Sequence, residues 1–515
     1  MFVKLVMIAV FFAVMIAVGI LCRRHATDVR GFVLGGRNVG PWLTAFAYGT
    51  TYFSAVIFVG YAGQFGWKFG IASTWIGLGN AFIGSLLAWV FLGRRTRIMT
   101  QHLNSATMPQ FFAERFGSPS LRTLSSAIIF VFLIPYTASL YNGLSRLFGM
   151  AFQVDYTVCI LIMAALTAVY VIAGGYMATA INDFIQGIIM LGGIVAIIAS
   201  VLKINGGFTG SLAALSHVTD EAASAMPGVF ASFFGPDPMG LLSVVLLTSL
   251  GTWGLPQMVQ KFYAIKSEKD IHKGTVISTI FALVVAGGCY FLGGFARIFP
   301  VDVAAEGYDA IIPHMLSQLS PLIIGIALVL VLSASMSTLS ALVLTSSSTL
   351  TMDFIVPLLF KGKKNDRRDL GYIRAFIAAF ILLSAFIAVI QYKLSITFIA
   401  QLMGLSWGAL AGSFLAPFLY SLYWKRVTKT SCVVCFLWGT LLMLANMFFK
   451  GAFPSILQSP INCGAFAMLG GLLIVPLVSL LTRAPSPDKL EEVFSCYRYT
   501  VTVPITEALT SGEEA

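Results

Sequence analysis

The amino-acid sequence predicts an all-α integral membrane protein with about thirteen transmembrane helices. Of its 515 residues, 58% are hydrophobic and 10% are charged, whereas a soluble domain carries about 25% charged residues. Apolar runs of about 20 residues, the length that crosses a bilayer, recur along the whole chain and leave only short loops between them. The composition therefore excludes a sizeable soluble domain.

The predicted spans begin close to the N-terminus. The first apolar run, from Leu5 to Leu21, lacks a small-residue cleavage pattern, so we interpret it as a retained helix rather than a signal peptide. Because the number of spans is odd, the two termini are predicted to lie on opposite sides of the membrane. We place the spans near residues 4–22, 41–65, 70–93, 122–148, 154–174, 181–203, 239–259, 273–298, 321–350, 371–392, 394–423, 431–449 and 461–482.

The basic residues behind the net charge of +11 crowd into one set of alternate loops. Such an excess marks the cytoplasmic side of a membrane protein. We therefore expect a multi-pass protein of the plasma (inner) membrane with its N-terminus outside and its C-terminus in the cytoplasm, and no nucleic-acid partner. The residues concerned are Arg23, Arg24, Arg30, Arg37, Arg94, Arg95, Arg97, Arg115, Arg122, Lys261, Lys266, Lys269, Lys273, Lys361, Lys363, Lys364, Arg367, Arg368, Arg374, Lys425, Arg426 and Lys429.

Two of the spans contain residues that break helices. The second span holds Tyr-Gly-Thr-Thr-Tyr-Phe-Ser at 48–54, and the seventh holds Gly-Thr-Trp-Gly-Leu-Pro-Gln at 251–257. Irregular backbone at membrane depth is tolerated only where it is buried in protein or lines a cavity. Paired interruptions in corresponding positions of two halves point to a transporter's binding site. The alternative is that these glycines and the proline only serve helix packing.

The spacing of the two breaks predicts an inverted repeat. They lie five spans apart, and an odd offset gives the two segments opposite orientations. The predicted organisation is a first transmembrane helix and cytoplasmic loop (1–40), inverted repeat 1 (41–203), an extracellular loop (204–238), inverted repeat 2 (239–424), two further spans (425–482) and a cytoplasmic tail (483–515).

A hydroxyl-rich strip lies inside the otherwise apolar ninth span, at residues 334–341. Ala334, Ser337 and Thr338 share one helical face because they are three and four residues apart. A carbonyl and two hydroxyls on one buried face suit a small hard cation such as sodium, which takes several oxygen ligands. The alternative is that these hydroxyls bond back to carbonyls of their own helix.

Three motifs in order resemble the sodium:solute symporter family, and the resemblance spans essentially the whole chain. Between spans five and six, the run from Tyr170 to Gln186 resembles the family signature, an aromatic residue followed by Gly-Gly, Ala and Thr-Asp before Gln. Here Asn182 stands where the family usually has Thr. Gly35-Gly36-Arg37 with Gly40-Pro41-Trp42 resembles the start of the first core helix, and Ala334-x-x-Ser337-Thr338 resembles the sodium motif.

The resemblance implies a core of five plus five inverted helices of the leucine-transporter type and sodium-coupled import of a small organic solute by alternating access. It implies sodium as the coupling ion, with no organic cofactor. The sodium ligands that it implies are the backbone carbonyls of Thr50, Phe53 and Ala334 and the hydroxyls of Ser337 and Thr338.

Asp183 is the one carboxylate that the sequence places inside a span, and intramembrane ionisable residues are functional candidates. Family members with a second sodium pair this Asp with hydroxyls that fall here at Ser337, Ser340 and Ala341. Because Ala341 has no hydroxyl, we favour one sodium per solute, with Asp183 and Ser340 as a second ion site or a release path. The alternative is that Asp183 only caps the sixth span.

The solute site is predicted from the two breaks and one later helix. The half-helix N-termini at the breaks offer free N–H groups and positive dipole ends to a carboxylate. Aromatic faces and amides would supply shape and polarity, although plain packing is as good an explanation of the aromatics. The candidates are Thr51, Tyr52, Thr252, Trp253, Gln257 and Gln401.

A pantothenate-like solute or another small carboxylate is favoured by resemblance. Thr51-Tyr52-x-Ser54-Ala55 and Leu255-Pro256-Gln257 are similar to segments of the family's pantothenate transporters. A proline-type amino-acid symporter and a sugar symporter are the alternatives. The proline transporters place Asp at Tyr52, and Trp and Tyr at Thr248 and Thr252, and the sugar transporters place Asn at Tyr52.

The sequence disfavours two classes of protein outside the transporters. A channel needs a filter of repeated ligands, and no such repeat is visible. A membrane enzyme needs convergent catalytic or metal-ligating groups, and the five histidines are dispersed along the chain. The expected partners are therefore the solute, sodium and the lipid bilayer, with no obligate protein partner.

Overall fold

The computed structural model describes residues 2–22, 27–152, 154–220, 223–224, 226–363, 365–394 and 399–498, and their regular secondary structure is helical. Several predictions fall outside these residues. They concern Arg23, Arg24 and Lys364 among the basic loop residues, residues 221, 222 and 225 of the predicted loop, residues 395–398 of the predicted eleventh span and residues 499–515 of the predicted tail.

The first half of the chain forms ten α-helices within the described residues, and the last but one of them is very long. They are α1 (Phe2–Leu21), α2 (Val29–Leu34), α3 (Pro41–Tyr52), α4 (Ala62–Phe69), α5 (Thr74–Gly79), α6 (Arg94–His102), α7 (Met108–Phe116), α8 (Pro119–Phe152), α9 (Tyr156–Ile204) and α10 (Gly207–Ser216).

The second half begins with the bent pair α11 and α12. Its helices are α11 (Pro238–Gly254), α12 (Pro256–Ala264), α13 (Glu268–Ala282), α14 (Gly288–Gly293), α15 (Val303–Glu306), α16 (Ile311–Ser317), α17 (Pro321–Thr349), α18 (Val356–Phe360), α19 (Asp366–Leu394), α20 (Ile399–Tyr423), α21 (Lys429–Phe448), α22 (Pro460–Leu481) and α23 (Pro487–Phe494). Wider π-helical turns join several of them, at Val56–Tyr61, Asn80–Leu87, Trp89–Gly93, Leu283–Gly287 and Leu350–Ile355.

Ten helical stretches in the described residues are long and apolar enough to cross a membrane, and an eleventh is the pair α11 and α12, bent by 46°. Two predicted spans share the continuous stretch Val56–His102 with no long break between them. Two others fall within α9, which turns at Gly175 (φ 57°, ψ −153°). The protein is thus an all-α multi-pass membrane protein, and the count of thirteen crossings stays a prediction.

Both predicted breaks are present, and they share one backbone conformation. α3 ends at Tyr52, and Phe53 is extended (φ −82°, ψ 122°). α11 ends at Gly254, and Leu255 is extended in almost the same way (φ −79°, ψ 121°) before Pro256 begins α12. The matching geometry agrees with the predicted inverted repeat, while the predicted domain boundaries stay predictions.

The core around the breaks is built by close helix contacts. α17 packs against α8 and α9, and α20 packs against α8, α11, α21 and α22. α4 and α14 cross where two glycines meet, because a Cβ on Gly66 would lie 1.9 Å from the Gly293 carbonyl oxygen. Small residues at membrane-helix crossings allow this backbone approach.

We expect Gly66→Ala to destabilise the protein, because the added methyl group overlaps the Gly293 backbone rather than a side chain that could move. Overpacking of this kind costs about 1–3 kcal/mol. Thermal unfolding of the purified protein should show a lowered midpoint. Gly192→Ala on the exposed face of α9 is the matched control, since its Cβ meets nothing within 4 Å. Equal midpoints for the two variants would contradict the close crossing.

Candidate functional site

The hydroxyl strip of α17 faces the carbonyls that the end of α3 leaves exposed. Ser337 Oγ lies 3.1 Å from the Thr50 carbonyl oxygen and 3.0 Å from that of Ala334. Thr338 Oγ1 lies 3.3 Å from the Thr50 oxygen, 3.4 Å from the Phe53 oxygen and 3.1 Å from the Ala334 oxygen. The structure therefore brings together all five residues that the sequence predicts as sodium ligands.

The oxygen atoms here outnumber the protons available to bond them. Two hydroxyls carry one proton each, yet the carbonyls of Thr50, Thr51, Phe53 and Ala334 all lie within 3.4 Å of them. The alternative of back-bonding within α17 is present as well, since both hydroxyls reach Ala334. Buried neutral oxygens in such excess are the donor set that a monovalent hard cation takes.

The cation would be held without a carboxylate. Ser337, Thr338 and Ala334 are fully buried, and so are Thr50 and Phe53. The side-chain hydroxyl of Thr50 donates to the Phe46 carbonyl at 2.9 Å, which leaves only its main-chain oxygen for the site. Sodium binding by these five residues stays a prediction that their geometry fits.

Asp183 lies on α9 and is fully buried with a charged partner on α12. Its Oδ2 is 3.8 Å from Nζ of Lys261, whose side chain is 3% exposed. Neither carboxylate oxygen accepts a hydrogen bond from any described residue. The prediction that Lys261 belongs to a cytoplasmic loop is wrong, because α12 continues the broken span and carries this lysine into the protein. Ser340 donates to the Ser337 carbonyl at 2.8 Å.

Sequence reasoning missed Lys261 and the neighbouring Gln260 as candidate functional residues. Gln260 accepts a hydrogen bond from Thr345 of α17 at 2.7 Å and donates to the Val33 carbonyl at 3.2 Å. It therefore ties α12 to α17 and α2. The signal that could have found both residues was their position one helical turn after the Pro256 break, where a membrane helix usually continues with apolar residues.

Arg37, in the run at 35–42 that resembles the start of the family's first core helix, contacts the end of α12. Arg37 donates to the carbonyls of Ser105 (2.5 Å), Thr100 (3.2 Å) and Tyr263 (3.2 Å). Burial, aided by the neighbouring charge of Arg97, lowers the pKa of Arg37 to about 10. The guanidinium stays charged at neutral pH and holds this junction closed.

The six predicted solute residues do not share one site, and some of them are already hydrogen-bonded within the protein. The Tyr52 ring lies 5.8 Å from that of Trp407. Thr252 donates to the Gly84 carbonyl at 2.9 Å, and Trp253 Nε1 donates to the Ile83 carbonyl at 3.0 Å, so both side chains are bonded to the third predicted span.

Three candidates remain. The Thr51 hydroxyl and the Gln257 amide oxygen are buried without a hydrogen-bond partner among the described residues. They remain available to a solute. Gln401 lines a different cavity of about 350 Å³ that none of the other five candidates lines.

Comparison with protein families matches residues 32–439 to the sodium:solute symporter family. The chain belongs to this family. The sodium/proline symporters of Staphylococcus aureus strains JH9 and N315 are each 30% identical to it over 448 residues, which is 85% of this chain and 85% of theirs. The resemblance seen in the sequence is thereby confirmed.

A solved structure shows the same fold. The substrate-bound, outward-open state of a sodium-coupled sialic acid symporter superposes with a TM-score of 0.72 at 16% identity, over 94% of this chain and 99% of that one. The fold is of the leucine-transporter type. The chain is a sodium-coupled membrane transporter that binds sodium and a solute, and a symporter rather than an enzyme.

We expect Ser337→Ala combined with Thr338→Ala to raise the sodium concentration for half-maximal uptake at least about tenfold, because two ligands are lost and each tenfold corresponds to about 1.4 kcal/mol. Sodium titration of uptake in proteoliposomes measures this. Ser333→Ala is the matched control, since its hydroxyl bonds only to Val329 of its own helix. An unchanged sodium requirement in the double variant would refute the assignment.

Proposed function

We propose that this symporter imports a small carboxylate-bearing solute across the plasma membrane with one sodium ion per cycle, by alternating access. The observation that carries the proposal is the convergence of the α17 hydroxyls on the carbonyls at the α3 break. The N-terminus is proposed to face outward and the C-terminus the cytoplasm, as the distribution of basic residues favours.

Sodium would act by joining two helices that otherwise hold facing oxygen dipoles. The carbonyls of Thr50 and Phe53 belong to the α3 break, and Ser337 belongs to α17. A cation between the two helices attracts the oxygen atoms of both, which otherwise repel one another, and so holds the break in one conformation. Since Thr51 and Tyr52 are part of the same break, ordering it also orders a wall of the solute site.

The electrochemical drive of one sodium suffices for accumulation. A membrane potential of 100 mV supplies about 2.3 kcal/mol per charge, and a tenfold sodium gradient adds about 1.4 kcal/mol. Because each 1.4 kcal/mol is a factor of ten, one sodium ion sustains a solute gradient of several hundred-fold.

The carboxylate of the solute is assigned to the second break. α12 begins at Pro256, and the first turn of a helix carries the positive end of its dipole. Gln257 lies in this turn with an unpartnered buried amide oxygen, which can accept from a hydroxyl or amide of the solute. Pantothenate-like solutes carry both groups.

An amino-acid solute is the second candidate. It is favoured by the relatives named sodium/proline symporters. The two candidates differ in charge, because an amino acid carries an ammonium group that pantothenate lacks. Thermal stabilisation of the purified protein with pantothenate, proline, other amino acids, short monocarboxylates and sugars, in sodium and in potassium, separates them, since a ligand of the folded state stabilises it by mass action.

A coupling ratio of one sodium is supported by the Asp183–Lys261 pair. A buried carboxylate without hydrogen bonds needs a counter-charge. Here the chain supplies it as the ammonium of Lys261, 3.8 Å away, and this tethered cation stands where a second dissolved cation would otherwise be required.

We expect Gln257→Ala to raise the solute concentration for half-maximal uptake several-fold while the sodium requirement changes less, because the lost amide faces the solute rather than the ion. Initial uptake rates over a matrix of solute and sodium concentrations measure both. Gln458→Ala, at a partly buried outer loop position, is the control for loss of an amide. A larger change in the apparent affinity for sodium than in that for the solute would contradict the assignment of Gln257 to the solute pocket.

We expect Lys261→Met to make transport depend on a second cation, because Asp183 then lacks its tethered ammonium. The Hill coefficient for sodium should rise from about 1 toward 2, or uptake should become dependent on protons. Adding Asp183→Asn should restore a coefficient of about 1. Lys266→Met removes an exposed charge just beyond α12 and is the control. A coefficient of 2 in the unaltered protein would contradict the one-sodium proposal.

A further inference from the structure

The cavity that Gln401 lines is also lined by charged residues of both signs. It has a volume of about 350 Å³, and its wall includes Arg146 of α8, Asp309 and Tyr392 of α19. A neighbouring cavity of about 210 Å³ shares Arg146 and Asp309 with it. By the predicted topology, both lie on the outer side of the membrane. Volumes of this size accommodate small ligands.

Arg146 and Asp309 do not form an ion pair with each other. Arg146 has no ion pair or hydrogen bond within the described residues, and its guanidinium lies 5.5 Å from the centre of the Tyr392 ring. Asp309 is only 4% exposed, and its Oδ2 accepts from the Ile399 N–H at 3.3 Å. Its Oδ1 has no partner among the described residues. Glu306 lines both cavities as well, but it is bonded to His314 at 2.6 Å.

Several of the surrounding polar side chains are hydrogen-bonded to one another. The Tyr156 hydroxyl donates to the Asn142 amide oxygen, and the Asn142 amide donates to Gln391. The rings of Tyr156 and Tyr392 stack at 3.5 Å. Of the charged residues that line the cavity, Arg146 and Asp309 are therefore the two without an ion pair among the described residues, since Glu306 is paired with His314.

We propose that this cavity is an outer binding site for zwitterionic amino acids, with the ligand carboxylate on Arg146 and its ammonium on Asp309. A guanidinium and a carboxylate form charge-assisted hydrogen bonds with these two groups. A ligand with only one of the charges leaves a protein charge unmatched, which is costly in a buried site. The site therefore selects against simple carboxylates and simple amines.

This site is separate from the sodium site, since none of the five predicted sodium ligands lines it. The inference rests on the proposed function only for the direction from which the solute arrives. Because the site selects against simple carboxylates, it favours the second candidate solute class, amino acids, over pantothenate-like solutes. Burial raises the pKa of Asp309 to about 6, so binding is measured at about pH 8, where the carboxylate is ionised.

The test uses the purified full chain with Ser337→Ala and Thr338→Ala, in potassium without sodium, so that sodium-coupled binding is removed. The probes are L-proline, cyclopentanecarboxylate, which lacks the amine, and pyrrolidine, which lacks the carboxylate. Calorimetry or equilibrium dialysis should show L-proline binding at least tenfold tighter than either analogue. Arg146→Met and Asp309→Asn should each weaken L-proline binding at least tenfold.

Controls keep a folding defect apart from a binding defect. Lys450→Met removes one exposed positive charge from the predicted outer surface and lines neither cavity. The analogue series needs no variant in the cavity and remains decisive if Arg146→Met does not fold. Equal binding of L-proline and cyclopentanecarboxylate, L-proline binding unaffected by Asp309→Asn, or no binding in potassium would each overturn the proposal. Failure of the proposed symport appears separately, as sodium-independent uptake by the unaltered protein.

Discussion

The structure depends on one constraint, that every backbone polar group inside a bilayer must find a partner within the protein. The helices satisfy it along most of the chain. At Phe53 and Leu255 they stop, and the carbonyls and N–H groups left over must be met by something else. At the first break the hydroxyls of Ser337 and Thr338 meet them, with more oxygen atoms than protons. The carbonyl oxygens that remain without a proton are the ones that fit the proposed sodium ion.

Buried carboxylates in this protein fall into two groups that differ in how fully they are bonded. Asp353 near the end of the α17 stretch accepts from Thr107, Gln110 and Arg122 at 2.5–2.9 Å and is closed to further ligands. Among the described residues, Asp183 has a charged neighbour but no hydrogen bond, and Asp309 has one carboxylate oxygen without a partner. Full bonding is typical of a structural anchor, whereas incomplete bonding leaves a charge that a moving ion or solute can complete.

The two half-helices after the breaks are held differently. α4, which follows the first break, is pressed against α14 through paired glycines whose backbones touch. α12, which follows the second, is held by polar side chains, with Gln260 bonded to Thr345 and Arg37 bonded to the Tyr263 carbonyl. Packed backbones resist sliding, whereas a few hydrogen bonds can exchange partners. This difference makes α12 the more suitable element to move in the proposed alternating-access cycle.

The sequence by itself determined the class of the protein, both helix breaks and the residues that form the hydroxyl strip of the predicted sodium site. These follow from local rules, since apolar length makes a span, Gly and Pro interrupt it, and residues three and four apart share a face. Only the tertiary structure decided that the α17 strip meets the α3 break, that Lys261 lies beside Asp183, that Asp353 is also buried within a helical stretch, and that Gln401 lines a cavity with Arg146 and Asp309. Sequence spacing cannot show such pairs, because they join helices far apart in the chain. Whether a charge is buried or lies in a loop depends on where its helix is packed.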